Sequence, residues 1–587
     1  MLLGLSMTHP AMAQADAPRM ARGLIVKLKD SAQPTSVVRL QAASRPTDSD
    51  ARQRLRLAAA TQRTRVSYLV NRPTAFAAHV IHDGGVTSLA AAEAQAVRLR
   101  RDPDVEWVVV NEIERQAATA LNIDHQTIND PSYGIQTWLR PRTGSTLGVA
   151  NVPAAWALIA NRTVTPVVTA VLDTGILPAS DLSGRVLPGY DFVSDADYAR
   201  DGNGLDSDPS DPGDWLTSGE KLANPQIYPA GCEVRNSVWH GLAISSMLGA
   251  GTDNNSDGAG ILAPLPGALI LPVRVAGTCG ADVSDIIEGM LWAAGVDYQG
   301  SPTRNANPAR VINISFGGDG SCSDNTSGTA SWLYRQTTAL LRNKGVLVVA
   351  SAGNGSTTTG LGLATLTRPA NCPYVLAATG LNQRGYKARY ANLVNSAQYW
   401  SVAVASGDIN AGNSLTDDGI ATQANTGAQS PDVGSYDMRL YVGTSFAAPT
   451  AAGVAALMMS VDPSLTVDEV LTRITSSAAA FPVIGGQATC TTSNMGNCNC
   501  TTSTCGSGVL DAGAAVQAAI DHAALNLPAF VSPDLTANYL TPDRLQTITP
   551  TPSKSGGGGG ALDVKAILAL VAALVLIVLI RIKDDKR

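Results

Sequence analysis

Val167-Val168-Thr169-Ala170-Val171-Leu172-Asp173-Thr174-Gly175 is an apolar, partly β-branched run that ends on an acidic residue and a turn. Such a run reads as a short strand buried on both faces. Working outward, Leu269 to Val275, Val311 to Ser315, Val346 to Ala350 and Val375 to Ala378 have the same character. Between them and beyond, Ala243 to Ala250, Ser284 to Ala294, Ala330 to Lys344 and Ser445 to Ser460 read as helices. This alternation predicts an α/β fold, a parallel sheet covered by helices on both faces in three layers. Reactive groups in such sheets gather beyond the carboxyl ends of strands. Asp173 ends its strand there, and Asn354 closely follows its own.

Three segments in fixed order carry the chemistry: Asp173-Thr174-Gly175, His240-Gly241 and Gly443-Thr444-Ser445-Phe446-Ala447-Ala448-Pro449. A serine hydroxyl is protonated at neutral pH, so it needs an imidazole to take its proton and a buried carboxylate to orient that imidazole. Of the six histidines, His9, His79, His82, His125, His240 and His522, only His240 lies between the aspartate and serine segments. Ser445 opens a helical stretch, where free backbone N–H groups and the dipole favour developing negative charge.

The order Asp, His, Ser is the subtilisin order, distinct from the chymotrypsin and α/β-hydrolase orders. With Trp239-His240-Gly241, Ile312-Asn313-Ile314-Ser315-Phe316-Gly317-Gly318 and Ala352-Gly353-Asn354, the chain resembles the subtilase family of serine proteases over about 129–520. A pepsin-like protease would carry a second Asp-Thr-Gly, and none exists. The resemblance implies a subtilisin-like serine endopeptidase acting on protein or peptide substrates, with Asp173, His240 and Ser445 as the triad and Asn354 donating its amide to the oxyanion beside the Ser445 N–H. It implies that Ser315, Phe316 and Gly317 pair with extended peptide, and that Ser351, Ala352 and Gly353 form the other wall of the pocket before the scissile bond. Small walls predict an apolar or aromatic preference. The chain departs from the family at Leu242 and Ala243, where Thr-His is usual, and at Ala405-Ser406-Gly407, where Ala-Pro-Gly is usual. Those departures keep open a catalytically inactive relative that binds peptides or serves surface display.

At 587 residues the chain exceeds one ordinary domain. Its net charge of -6 and unclustered Lys and Arg leave nucleic acid without a basic footprint. All eight cysteines follow position 231, which suits disulfides made outside the reducing cytosol. Resemblance to secreted bacterial subtilases pairs Cys232 with Cys279 and Cys322 with Cys372. Cys490, Cys498, Cys500 and Cys505 permit three connectivities. Closing the very short Cys498 to Cys500 loop is sterically poor, which favours Cys490 with Cys498 and Cys500 with Cys505. A zinc knuckle is the alternative for this cluster, though no histidine lies nearby. The loop Asp201 to Pro212 packs Asp201, Asn203, Asp206, Asp208 and Asp211 closely, predicting Ca2+, although it lacks the bidentate Glu of an EF-hand.

Residues 1–13 read as a truncated export signal, lacking a basic n-region and ending on Ala11-Met12-Ala13. Residues 21–118 read as a small α+β unit, with strands Leu24 to Leu28 and Val105 to Val110 and a helix Ser88 to Arg98. It resembles a subtilase prodomain, an intramolecular inhibitor cut away between Gln116 and Leu121. Residues 525–560, rich in Pro, Thr and Gly, predict an extended linker. In 561–587 the apolar run Ala566 to Ile580 ends on Arg581 and Lys583, predicting a short transmembrane segment with its basic end inside. This tail resembles bacterial sorting tails removed by an intramembrane processing enzyme. The expected location is therefore exported, tethered to the inner membrane facing the periplasm, then at the cell surface or extracellular.

Overall fold

The computed structural model describes residues 19–29, 46–116, 119–121 and 132–537, apart from positions 253, 255, 268, 325, 357, 358, 413 and 536. The expected signal segment 1–13, the tail 561–587 and positions 538–560 of the expected linker lie outside the described residues.

The N-terminal region is α+β. Its elements are β1 (Met20–Leu28), α1 (Pro46–Thr64), β2 (Leu69–Thr74), β3 (Ala78–His82), β4 (Thr87–Ser88), α2 (Leu89–Leu99) and β5 (Val105–Gln116). β1 lies between β3 and β5, antiparallel to both, and β2 pairs with β3. Side chains on successive strand residues point to opposite faces. Leu24 and Val26 of β1 and Val108 and Val110 of β5 therefore meet Leu57 of α1 and Ala92, Ala96 and Leu99 of α2. Ile25, Trp107 and Val109 point the other way, into the larger unit. Ser88 caps α2 by accepting the Ala91 N–H at 3.2 Å, as a serine before a helix does.

The larger unit is a seven-stranded parallel sheet. β6 (Thr119–Leu121) precedes it in the chain; β7 (Thr169–Asp173) is its first strand. β9 (Ile270–Arg274) and then β8 (Tyr190–Asp191) lie on one side of β7, while β10 (Ala281–Asp282) stands apart on β5. On the other side run β11 (Val311–Ile314), β13 (Leu347–Ser351), β14 (Val375–Leu381) and β15 (Ser401–Ala405). The two-residue β12 (Phe316–Gly317) follows β11 and turns away to pair with β5. Val171, Val311, Val349 and Leu376 face the helices His240–Gly249 and Thr444–Val461. Ala170, Leu172, Ile312, Ile314 and Val348 face the helices Val283–Ala293 and Ala330–Lys344. Both faces are thus covered, which is why the strands are continuously apolar. The helix Thr444–Val461 is 94% buried, and a helix apolar all round belongs inside a core.

From β7 the chain goes first to β8 and β9, then crosses to β11. The strand order reverses between β7 and β11, and the crevice beyond their carboxyl ends is where such sheets bind ligands. A smaller antiparallel sheet, β16 (Ile420–Asn425) with β17 (Tyr436–Val442), runs into the Ser445 helix, and β6 adds to the edge of β17. The four disulfides pair Cys232 with Cys279, Cys322 with Cys372, Cys490 with Cys498 and Cys500 with Cys505. No zinc knuckle forms, because these thiols are used up. The first part of the expected linker lies along the larger unit: Phe530 N–H donates to Pro463 O at 2.9 Å, and Lys344 Nζ to Pro533 O at 2.7 Å.

Candidate active site

Asp173 is the last residue of β7 and His240 the first of its helix, and the fold brings them together: Asp173 Oδ1 lies 2.7 Å from His240 Nδ1. Both are 0% exposed. Their approach depends on Gly241, where an added Cβ would meet Gly175 O at 2.1 Å, so only glycine lets the helix start against the Asp-Thr-Gly turn. Thr174 locks that contact. Its Oγ1 accepts the Gly241 N–H at 3.0 Å and donates to Asp211 Oδ2 at 2.7 Å.

His240 Nε2 is buried and makes no hydrogen bond. The His240 ring packs edge-on against Phe446, 5.7 Å between centroids, which puts it next to the residue that follows Ser445. Ser445 is the second residue of the Thr444–Val461 helix, in the turn whose N–H groups have no intrahelical acceptors. Its Oγ donates to Ser315 O at 3.3 Å, and Ser315 Oγ donates back to Ser445 O at 2.9 Å. Asn354 Oδ1 accepts from Thr444 N–H at 2.9 Å and from Thr444 Oγ1 at 2.7 Å. This leaves the Asn354 amide nitrogen as its available donor. Behind the nucleophile, Tyr390 OH accepts the Gly443 N–H at 2.9 Å and donates to Gly407 O at 2.7 Å. Leu242 packs with Ile176, Leu177, Leu182 and Trp239, and Ala243 enters the main core, so the two departures make an apolar wall behind His240.

Phe316 and Gly317 form β12, which pairs antiparallel with β5 at Gln116 and Arg115. Ser351 ends β13, and Ala352 and Gly353 follow it directly. Thr367, unforeseen from the sequence, stands between these walls: a Cβ on Gly317 would meet Thr367 Oγ1 at 2.5 Å, and one on Gly353 would meet its Cγ2 at 3.0 Å.

The carboxylates of the acidic loop, expected to hold Ca2+, do not converge on one point in the structure. Asp201 Oδ2 pairs with Arg274 Nη1 at 2.7 Å, and Asn203 Nδ2 donates to Asp206 Oδ2 at 2.7 Å. Asp208 Oδ1 accepts from Ser210 N–H and Oγ, and Asp211 turns inward to Thr174. Among the described residues, the only three His, Cys, Asp or Glu ligand atoms that cluster are the disulfide-bonded Cys490, Cys500 and Cys505. The repulsion that pointed to Ca2+ is relieved instead by Asx turns and by Arg274. Burial and the nearby Asp214 push the Asp211 carboxyl up to about 7. Nothing in the spacing of the loop distinguishes Asp211 from its neighbours, since Asp208 and Asp211 each precede a proline.

Residues 165–508 match the model of the subtilase family. The chain is 35% identical over 433 residues to an extracellular protease of Xanthomonas campestris pv. campestris, covering 74% of this chain and 62% of that protein. It is 35% identical over 382 residues to an extracellular basic protease of Dichelobacter nodosus, covering 64% of this chain and 55% of that protein. The chain thus spans less than two thirds of the length of these relatives. A solved protease structure from Pseudoalteromonas arctica superposes with TM-score 0.52 at 35% identity, over 67% of this chain and 100% of that one.

Proposed function

The chain belongs to the subtilase family, and from that premise we propose that it is an exported serine endopeptidase made as a self-inhibited precursor. One observation carries the reading: the buried Asp173–His240 pair, 2.7 Å apart, with Nε2 unengaged beside the start of the Ser445 helix. In the proposed reaction Ser445 Oγ attacks the substrate carbonyl carbon and its proton passes to His240 Nε2, while Asp173 holds the Nδ1–H. The negative charge on the carbonyl oxygen is met by the Asn354 amide and the Ser445 N–H. Collapse breaks the C–N bond, and His240 returns the proton to the leaving amine. Water then hydrolyses the ester through the same relay.

The N-terminal region fits an intramolecular inhibitor. β5 pairs with β12 up to the Phe316–Gln116 match, and β6 pairs with β17 from the Val442–Thr119 match, so adjoining stretches of chain occupy edges on either side of the Ser445 helix start. Two residues separate these pairings, and the bond between Ala117 and Ala118 is the one we assign to self-cleavage. Thr367 between the glycine walls favours a small apolar residue, such as Ala117, over the large aromatic one expected from small walls alone. The extracellular relatives support export. The apolar run Ala566 to Ile580 with Arg581 and Lys583 supports a membrane tether that a processing enzyme removes.

The test is labelling by a fluorophosphonate of the wild-type chain and of Ser445→Ala. Labelling confined to the wild type, with a processed N-terminus at Ala118, is the expected result. A folded wild-type chain that takes no label would overturn the enzyme, and a processed chain beginning at Gln14 would overturn the inhibitor.

A further inference from the structure

β5 runs between two edges of the larger unit, paired with β12 on one side and with β10 on the other, where Ala281 stands opposite Glu114. Glu114 is 2% exposed, and its carboxylate is held at both oxygens. Arg368 Nε donates to Oε1 at 2.6 Å and Tyr334 OH to Oε2 at 2.6 Å. Room for it exists only because residue 318 is glycine: a Cβ there would meet Glu114 Oε1 at 2.5 Å. Two residues earlier on the same face, Glu112 Oε2 accepts from Arg368 Nη2 at 2.8 Å.

The receiving groups belong to the larger unit and are fixed there independently of Glu114. Arg368 is paired through its backbone with Gly318, by N–H to O bonds of 2.9 Å and 3.1 Å. Its Nη1 donates to Asp319 O at 2.5 Å and contacts Ser331 Oγ at 3.4 Å. Tyr334 sits in the buried first half of the Ala330–Lys344 helix. Asp319 O and Ser331 Oγ are neutral acceptors. Without β5 the guanidinium loses both carboxylates, and a strand that covers it again without supplying one would bury an unpaired charge, which is costly. Whatever strand next adds to β12 meets a rigid fork whose geometry matches a carboxylate.

We propose that Gly318, Tyr334 and Arg368 form a carboxylate-binding subsite, filled here by Glu114 and, after the N-terminal region leaves, by an acidic side chain of a protein substrate four residues before the cleaved bond. The position follows from the register, since Glu114 is the fourth residue before the Ala117–Ala118 bond, and so it rests on the proposed endopeptidase reading. An apolar side chain at that position would leave the guanidinium unpaired, so the site selects by the cost of the wrong partner as well as by the bond to the right one. Protein substrates with isolated acidic residues upstream of small apolar ones are the class it fits, and an acidic residue two positions earlier would add the contact that Glu112 makes.

The test uses processed enzyme from the full chain and two internally quenched peptides that differ only by Glu or Gln four residues before an Ala-Ala bond, with the cut bond checked by mass. The expected result is a kcat/KM about tenfold or more higher for the Glu peptide, the range of a charge-assisted bond lost from a buried site. Arg368→Met should bring the peptides to within about twofold, and Tyr334→Phe should reduce the preference while keeping its sign. Equal rates for the two peptides with the wild-type enzyme would overturn the subsite, whatever the variants do. So would a Glu preference that survives in Arg368→Met. If neither peptide nor a casein control is cut, it is the endopeptidase reading that fails, and this one falls with it.

Discussion

The helix Val283–Ala293 meets a sheet on each side, and the two seams are built from different chemistry. Toward the parallel sheet it presents Ile286, Ile287, Met290 and Leu291, and Gly289 lets it approach Val273, Val275 and Leu172. Toward the N-terminal sheet it presents Asp285 and Glu288, both paired with Arg72, at 3.0 Å and 2.5 Å. Asp282 just before it faces Arg22, which also pairs with Asp195. Beside this charged seam Ile25, Phe76, Trp107 and Val109 join the apolar core of the larger unit, and Trp107 lies 5.4 Å from Trp332 of the Ala330–Lys344 helix. The inner seam cannot be opened without exposing a core. Opening the outer seam would uncover carboxylates, which water solvates well, alongside that apolar patch. An apolar seam suits a permanent contact, and a largely charged one suits the release that the proposed self-cleavage requires.

The largest expected effect is that of Ser445→Ala, which removes the proposed nucleophile and with it the proposed self-cleavage. Activity should fall by about 10⁶, the figure for the same change in subtilisin, a relative, and the chain should remain full-length on a denaturing gel. Self-cleavage persisting in this variant would assign the cut to another residue. Asn354→Ala should cost about 10² to 10³ in kcat, again by analogy with subtilisin, with both seams and the melting temperature little changed. A variant that melts much lower would make Asn354 a structural residue through its bonds to Thr444.

Two substitutions in the Ser445→Ala background then separate the seams. Arg72→Met strips the partner from Asp285 and Glu288, and leaving such charges buried costs about 3–5 kcal/mol. That loss should appear in the urea midpoint for releasing the N-terminal region, followed by Trp107 fluorescence, and leave the unfolding of the larger unit unchanged. Leu172→Ala removes a fully buried side chain from the inner seam at a cost of about 2–5 kcal/mol, and should lower the unfolding midpoint of the larger unit. If both variants weaken the same transition equally, the two seams are one.

The same contrast explains what could be read from the chain. The inner seam was legible because its strands are apolar on both faces: the run ending at Asp173 became β7, and Ala330–Lys344 was found with its observed ends. The triad segments were legible because each is local. The outer seam was not, since Asp285 and Glu288 lie on a helix more than 200 positions from their partner Arg72, in β2, where Pro73 weakens the strand signal. β16 and β17 were missed because polar residues such as Gln423 and Arg439 interrupt them. The Arg368–Glu114 pair spans 254 positions, and no local pattern announces a contact of that range. In the acidic loop, spacing shows that carboxylates are near one another and not where they point, so the turn of Asp211 toward Thr174 was not legible.

The smallest expected effect is a pH dependence confined to the outer seam. Two guanidiniums, Arg22 and Arg72, face four carboxylates there, Asp195, Asp282, Asp285 and Glu288, so the buried charge is negative in excess. Burial raises the Asp282 carboxyl well above its ordinary range and pushes Asp285 up to about 6, with Glu288 adding to the rise at Asp285 while Arg72 and the Ser194 donors oppose it. A carboxyl whose pKa is higher in the joined state than in the separated one favours joining when protonated. The N-terminal region should therefore be held most firmly at about pH 4, near the ordinary value of 3.8 for a separated Asp carboxyl, and progressively less as pH rises toward about 6. Urea release of that region from the Ser445→Ala chain, followed between pH 4 and 8, should show its midpoint falling across this window, and Asp285→Asn should flatten part of the slope. A midpoint that rises with pH there would mean that Arg22 and Arg72 outweigh burial and that the outer seam, like a surface ion pair, strengthens as its carboxylates ionise.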